Sequence, residues 1–325
     1  MRKISVVLSC LWAVNAYSAD VSPYIVNGSN ISATTHPSFV SLFYDRINYD
    51  GKASTGPYCG GTLIGSQYVL TAAHCIYGST QNQLFTSVVP QLQDEKDFPN
   101  SVLQRVMVNE FYYPSNYNDS TLANDIAILK LASPITAVTS YATLGTTGDE
   151  GTYRQTSPVQ VFYAVGHGNT QTNIDATTYL QRTQLQYVPN ANCNVYTNAN
   201  TSANLCMKGA ATVVYDNATC QGDSGGPLYW DKSGSFVQVG ITSFGPQTCG
   251  NPAVAANSIF TEVSDHRDWI TSVLAGNEAP KVTVTDTQRK TSLGISTDTG
   301  GGGGGGSLGL AFLTLLSLVG WRRSK

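Results

Sequence analysis

Charge is scarce in this chain. Only 12% of its 325 residues are Asp, Glu, Lys or Arg, where about 25% is usual, and the formal net charge is −3. Without an excess of basic residues the protein has no field that would attract phosphate backbones, so we expect no nucleic-acid partner. Hydrophobic residues make up 41% of the chain, which is enough for a packed core and argues against disorder.

Metal-binding patterns are also missing. The chain has no Cys-x-x-Cys pair, and its four histidines, His36, His74, His167 and His266, are scattered along the sequence. A zinc cluster needs ligands at closer spacing, so we expect neither a metal nor a cofactor. We interpret His36, His167 and His266 as surface residues, and the acidic stretch 94–97 as a solvated loop rather than a calcium site.

The apolar run at the N-terminus is too short to span a membrane, which takes about 20 residues. Residues 1–18 combine a basic start, an apolar stretch over 4–14 and small residues at Ala16 and Ser18, the three zones of a secretory signal peptide. Export would remove Cys10 and leave six cysteines, which predicts three disulfides. The count alone does not determine which cysteines pair with each other. The remaining cysteines are Cys59, Cys75, Cys193, Cys206, Cys220 and Cys249.

The C-terminal end has three parts. Residues 277–299 are polar and read as a linker, 300–306 are all glycine, and 307–325 form a short apolar transmembrane segment with a basic tail. This arrangement resembles the GlyGly-CTERM sorting signals of Gram-negative bacteria. The resemblance implies that this segment contacts the membrane transiently and is cleaved near the glycines by a rhomboid-type protease. It also implies that the secretion machinery is a partner and that the protein is delivered to the cell surface or medium. The alternative is a permanent membrane anchor.

Short β-type runs fill the region between these ends, and turn residues separate them. There is no strand–helix alternation and no repeat of fixed period, so the pattern predicts an all-β barrel or sandwich. A single amphipathic helix is predicted to start at Ser264, with Ser264 as its N-cap. The runs cover 39–44, 68–71, 102–108, 125–131, 159–165, 180–188, 236–244 and 258–263.

Three segments carry residues suited to nucleophilic catalysis. His74 follows a strand, Asp125 opens a strongly apolar strand, and Ser224 lies in Gly222-Asp223-Ser224-Gly225-Gly226-Pro227. A serine hydroxyl needs an adjacent base, and a neutral imidazole can act as that base and later as the acid. A buried carboxylate on the far ring nitrogen would fix the tautomer of the imidazole.

With these motifs the chain resembles the trypsin/chymotrypsin family of serine endopeptidases over 25 to about 274. Its order of His74, Asp125 and Ser224 is that of the family, and Ile25-Val26-Asn27-Gly28 and Cys59-Gly60-Gly61 match as well. The resemblance implies two six-stranded antiparallel barrels with a short C-terminal helix, a protease domain over 25–276, a monomer, and protein or peptide substrates. It also implies the pairs Cys59–Cys75, Cys193–Cys206 and Cys220–Cys249.

The resemblance further assigns an oxyanion hole to the backbone N–H groups of Gly222 and Ser224. It implies a zymogen with the propeptide 19–24: cleavage before Ile25 would free an α-amine that pairs with Asp223. The sequence departs from most relatives because Tyr24, rather than Arg or Lys, precedes this cut.

The same resemblance places a specificity pocket at Ala218, Thr219, Gly245 and Ser258, and lets Ser243, Phe244 and Gly245 pair with the substrate backbone. No Asp occupies the expected floor or wall positions, so a basic side chain would lack a partner and an aromatic or large apolar one is predicted. Small apolar, elastase-like or basic, trypsin-like specificity are the alternatives. An inactive, protease-like binding protein is a further alternative.

Overall fold

The computed structural model describes residues 25–193, 203–211 and 214–296. The predicted signal peptide (1–18), propeptide (19–24), glycine run (300–306) and C-terminal apolar segment (307–325) lie outside the described residues. A large unit ends at Thr285 and a small one begins at Asp286. In the described part of the chain, no helix is both long and apolar enough to cross a membrane.

Strands dominate the large unit. They are β1 (Ser29–Asn30), β2 (Phe39–Arg46), β3 (Lys52–Ala53), β4 (Cys59–Gly65), β5 (Tyr68–Thr71), β6 (Thr86–Pro90), β7 (Val106–Tyr112), β8 (Ala127–Leu131), β9 (Thr143–Leu144), β10 (Phe162–Gly166), β11 (Gln181–Val188), β12 (Asn204–Gly209), β13 (Pro227–Lys232), β14 (Ser235–Phe244), β15 (Ser258–Glu262) and β16 (Val282–Thr283). The α-helices are α1 (Ile47–Asp50), α2 (Thr80–Phe85), α3 (Thr147–Tyr153), α4 (Arg267–Leu274) and, in the small unit, α5 (Asp286–Ser292).

The strands form two closed antiparallel barrels of six. The first runs β7-β6-β2-β4-β5-β8 and closes where β7 pairs with β8. The second runs β11-β10-β13-β14-β15-β12 and closes where β11 pairs with β12. Closure leaves few unpaired strand edges, which is how short β-strands give a stable domain. The expected all-β, two-barrel fold is therefore confirmed.

Alternation along the strands fills each barrel. In β11 the burial pattern alternates from Gln181 to Gln186, so that Leu185 points into the second core beside Phe162 and Leu228. The first core is built in the same way around Leu42 and Phe111. Burying such side chains supplies about 1.5–3 kcal/mol each, so each barrel is an independent source of stability.

The C-terminal helix begins later than predicted. A short 3-10 helix covers Ser264–His266, α4 starts at Arg267, and the residue before it is His266. Ser264 is not the N-cap of α4, because it lies inside the preceding 3-10 helix; its hydroxyl lies 3.1 Å from the Tyr153 hydroxyl in the protein interior.

Part of the predicted linker is ordered. Within 277–299, β16 pairs antiparallel with β7, Val282 opposite Phe111, and Val284 is buried in the first core. In the small unit, α5 covers Asp286–Ser292. The linker was predicted from the polar composition of this segment. Val282 and Val284, with Thr283 between them, are too short an alternating pattern to predict a strand.

Candidate active site

Strand pairing brings the first two candidate residues together. β5 and β8 are antiparallel with Thr71 opposite Ala127. His74 lies three residues after Thr71, on a 3-10 turn over Ala73–Cys75, and Asp125 lies two residues before Ala127. The segment after β5 and the segment before β8 therefore leave the sheet at the same end, and the side chains of His74 and Asp125 meet there.

Asp125 contacts His74 twice. Its Oδ2 lies 2.7 Å from the ring Nδ1 of His74, and its Oδ1 accepts the backbone N–H of His74 at 2.9 Å. The Asp125 side chain is fully buried, and Ser243 Oγ donates to the same Oδ2. A buried carboxylate with this many donors fixes the orientation of the imidazole and its Nδ1–H tautomer.

The electrostatics of His74 follow from this contact. Burial lowers the pKa of His74, but the hydrogen bond and the negative charge of Asp125 outweigh burial, and Asp119 adds to them. The pKa of His74 is thus raised above the ordinary value of 6.5. An imidazole of this kind accepts a proton readily at Nε2.

The loop around Ser224 packs against both barrels. The carbonyl of Ser224 accepts the N–H of Gly60 in β4 at 2.8 Å, and Gly225 donates its N–H to Thr242 in β14 at 2.8 Å. Gly225 has a φ of +75°, and a Cβ there would collide with Thr71 Oγ1 and the Gly60 carbonyl. Only glycine satisfies this position, which explains why the serine loop is glycine-rich.

Two N–H groups of this loop are free. Among the described residues, the backbone N–H groups of Gly222 and Ser224 have no acceptor. Gly222 takes a φ of +101°, which turns its amide in a direction that L-residues rarely reach. A pair of free N–H donors at a nucleophile is the arrangement that stabilises a developing oxyanion.

A cavity of about 250 Å³ opens beside Ser224. Thr219 and Gly245, two of the predicted pocket residues, line it. Ser243 and Phe244, which were predicted to pair with the substrate backbone, line it as well, and so does Gln221, which the sequence motifs did not reveal although it directly precedes Gly222. Ala218 and Ser258 are fully buried and are not among the lining residues. Ser258 acts on the wall indirectly, because its Oγ accepts the N–H of Thr219 at 2.9 Å.

The predicted activation residues lie deep in the protein. Ile25 and Val26 are fully buried, and the Val26 carbonyl accepts the N–H of Ala218. Asp223 is buried as well and accepts the N–H groups of Cys220 and Gly168, each at 2.9 Å. Burial raises the pKa of Asp223 to about 7, since these two amides offset only part of the desolvation. No hydrogen bond joins Ile25 to Asp223 among the described residues, where Ile25 carries an amide rather than a free amine.

Three disulfides support the loops of the site. Cys59–Cys75 links β4 to the His74 turn, and Cys220–Cys249 links the two sides of the cavity. Cys193–Cys206 is the third pair. Cys59, His74 and Cys75 lie as close together as metal ligands do, but the two sulfurs are bonded to each other and offer no thiolate ligand.

Two histidines and one acid predicted at the surface are buried. His36 stacks on Tyr229 with ring centroids 4.7 Å apart, and burial, followed by the charge of Arg182, lowers the pKa of His36 to about 4. Burial likewise lowers the pKa of His167 to about 4. Glu95 is buried with Oε1 at 3.8 Å from His167 Nδ1, so that the solvated-loop interpretation is wrong for this residue.

The sequence matches known proteins over the same region. The family described as Trypsin matches residues 25–270. Chymotrypsin-like elastase family member 1 of the dog, Canis lupus familiaris, is 31% identical over 259 residues, which are 78% of this chain and 93% of the relative. The human protein of that name is 30% identical over 256 residues, 78% of this chain and 93% of the relative. The chain therefore belongs to the trypsin family, and it is a serine endopeptidase.

Proposed function

We propose that this endopeptidase works through Ser224 as nucleophile, His74 as general base and acid, and Asp125 as the carboxylate that orients His74. The observation that carries the proposal is the buried Asp125, which holds His74 by both its ring and its backbone. The loop of Ser224 packs on Thr71, three residues before His74, which supports the third member of the triad.

The chemistry follows in two halves. Ser224 Oγ attacks the scissile carbonyl carbon while His74 Nε2 takes the hydroxyl proton, and the carbonyl oxygen becomes an oxyanion between the N–H groups of Gly222 and Ser224. His74 then gives the proton to the leaving amine, which departs and leaves an acyl-enzyme. Water then attacks the ester carbon while His74 Nε2 takes one of its protons, and as the carboxylic acid product departs His74 gives that proton to Ser224 Oγ.

We infer a preference for aromatic or large apolar side chains before the cut bond. Gly245 adds no side chain to the wall of the cavity, and no carboxylate stands among the lining residues to pair with Lys or Arg. Elastase-like specificity for small side chains is the second candidate, and the names of the relatives favour it. Trypsin-like specificity would need a carboxylate in the cavity that pairs with the positive charge of Lys or Arg.

We further propose a zymogen that is cut before Ile25. The new α-amine would meet Asp223, a buried carboxyl whose hydrogen-bond donors among the described residues are the backbone N–H groups of Gly168 and Cys220. The pair would order the loop that carries the free N–H groups. Tyr24 before the cut fits self-cleavage by an enzyme that prefers aromatic residues.

We also propose that the protein is exported. Three disulfides fit an oxidising compartment. We propose that the signal peptide directs the chain out of a Gram-negative cell, that the C-terminal segment serves as a sorting signal, and that the mature enzyme acts as a monomer at the surface or in the medium. Mass spectrometry of the mature protein tests this, because a C-terminus at Lys325 would contradict removal of the sorting segment.

One experiment tests the triad and the activation together. The purified protein is treated with a fluorophosphonate probe, and its N-terminus is sequenced in parallel. We expect a mature N-terminus at Ile25 and covalent labelling that disappears in Ser224→Ala but persists in Ser235→Ala, an exposed serine of β14. A protein that begins at Ile25 and takes no label would sink the proposed mechanism.

A further inference from the structure

A charge pair with a buried acid lies next to the cavity beside Ser224: the N–H of Asp216 donates to the carbonyl of Gly250, which follows Cys249 of the cavity lining. Asp216 is fully buried, and its Oδ2 lies 3.1 Å from the Nζ of Lys208 and accepts the side-chain N–H of Asn257 at 3.0 Å. The Lys208 ammonium also donates to the carbonyl of Val254. The Lys208 side chain keeps a third of its surface exposed, so the cation reaches the pair from solvent while the anion stays inside.

Strand register connects this pair to the cavity wall. In β12 and β15, Met207 pairs with Ser258, and Asn257 donates its N–H to the Met207 carbonyl. Ser258 in turn accepts the N–H of Thr219, which lines the cavity. Asp216 therefore stands one side chain, Asn257, away from the residue that supports the wall.

The anion is only partly satisfied. Among the described residues, Asp216 Oδ1 and Asn257 Oδ1 have no hydrogen-bond partner although both residues are fully buried. A buried carboxylate that loses its one cation becomes an uncompensated charge, and any cation brought nearby is then attracted to it. The Lys or Arg side chain of a substrate, if it enters the cavity, is such a cation.

We propose that Lys208 is a specificity-determining residue, which neutralises Asp216 and thereby keeps the cavity selective for uncharged side chains. This inference rests on the proposed function, since it explains why a protease with a buried acid so close to its cavity would reject Lys and Arg. Lys208 does not touch the substrate, and it acts through the field of Asp216.

The test compares two peptide nitroanilides that differ only in Tyr or Arg before the cut bond. In Lys208→Met we expect the ratio of kcat/KM for Arg over Tyr to rise about tenfold, because a charge at this depth is weakly screened. Lys208→Arg should keep the wild-type ratio, and the pair Lys208→Met with Asp216→Asn should restore it. Titration of active sites with the fluorophosphonate corrects each rate for unfolded protein.

A purely structural role has a different signature. Lys208→Met would then lower kcat/KM equally on both substrates, and an unchanged ratio overturns the proposal, as does a ratio that stays high in the double variant. If Lys208→Met does not fold, Lys208→Gln replaces it, since the amide can still donate to Asp216 without a charge. The wild-type ratio alone tests the proposed specificity: preference for Arg there refutes that specificity, while the change between variants still decides the role of Lys208.

Discussion

Asp125 binds His74 at two places at once, through the ring Nδ1 at 2.7 Å and through the backbone N–H at 2.9 Å. The ring contact selects the tautomer that leaves Nε2 free to take a proton. The backbone contact fixes the turn that carries the ring. One buried carboxylate therefore sets both the protonation state and the position of the candidate base.

Replacing Asp125 by Asn should lower kcat by about 10⁴ while the fold survives. An amide of the same shape keeps the packing but presents an N–H to the ring, which favours the wrong tautomer of His74. The measurement is kcat on a chromogenic peptide, with a thermal melt to verify folding. Asp119→Asn is the matched control, since Asp119 influences His74 only by its charge, and it should cost less than tenfold. Equal losses in the two variants would contradict the assigned role of Asp125.

The activity should depend on pH through His74. Burial lowers the pKa of His74, and Asp125 raises it by more, so the ring holds its proton to a higher pH than an ordinary histidine with a pKa of 6.5. Because the base must be neutral, kcat/KM should rise with pH through a midpoint above 6.5 and fall away in acid. The same shift stabilises the fold at low pH: that contribution is complete below 6.5 and is lost as the pH rises through the raised pKa.

The pH profile has its own control. Asp119→Asn removes one of the charges that raise the pKa of His74, so the midpoint should move to lower pH while the plateau rate stays nearly the same. A midpoint that does not move would show that the titration belongs to another group.

The sequence was sufficient for features that are encoded within a few neighbouring residues. The strand over Tyr68–Thr71 coincides with the predicted run, and β11 lies within the run predicted at 180–188. The serine loop is equally local, because its glycines are required by backbone angles within the same six residues. The two-barrel fold came from the family resemblance, since strand runs alone fit a sandwich as well.

Features that depend on distant partners escaped prediction. His36 is buried because it stacks on Tyr229 of β13, which belongs to the second barrel, and no pattern around His36 predicts that partner. The run predicted at 102–108 is observed as Val106–Tyr112, because Val102 packs with Phe43 and Phe98 outside the sheet. Ser258 was expected on the cavity wall, and the hydrogen bond to Thr219 sets it one layer behind.

Replacing Glu95 by Gln should stabilise the protein increasingly as the pH rises. Burial, and then the charges of Asp175 and Asp94, raise the pKa of Glu95 to about 8 from 4.5. The folded state thus holds a proton that the unfolded state releases, so wild-type stability falls between pH 4.5 and about 8. Gln never ionises and escapes this loss. Urea unfolding at several pH values measures the difference, which should grow up to about pH 8 and then stay constant.

Asp94 supplies a control of opposite sign for this experiment. A hydrogen bond with Thr178 lowers the pKa of Asp94, and the N–H of Lys96 and its charge add to that effect. Asp94→Asn should therefore reduce stability at neutral pH, and the loss should vanish in acid as the wild-type carboxylate takes up its proton. Because the charge of Asp94 also raises the pKa of Glu95, the control is made in the Glu95→Gln background, where Asp94→Asn should still reduce stability at pH 7. If the gain from Glu95→Gln did not grow with pH, the buried position of Glu95 would not be its cause.

The ordered stretch after α4 should contribute measurably to the first barrel. β6 pairs with the beginning of β7 and β16 with its end, where Val282 faces Phe111, so β16 continues the sheet beyond Thr86, the first residue of β6. Val284 is buried in the same core, whereas Thr283 is exposed. Val284→Ala should lower the free energy of unfolding by about 1–2 kcal/mol, because it removes two buried methyl groups. Thr283→Ala should stay within about 0.5 kcal/mol. Urea unfolding distinguishes them, and equal effects would mean that 282–284 pack on the barrel without supporting it.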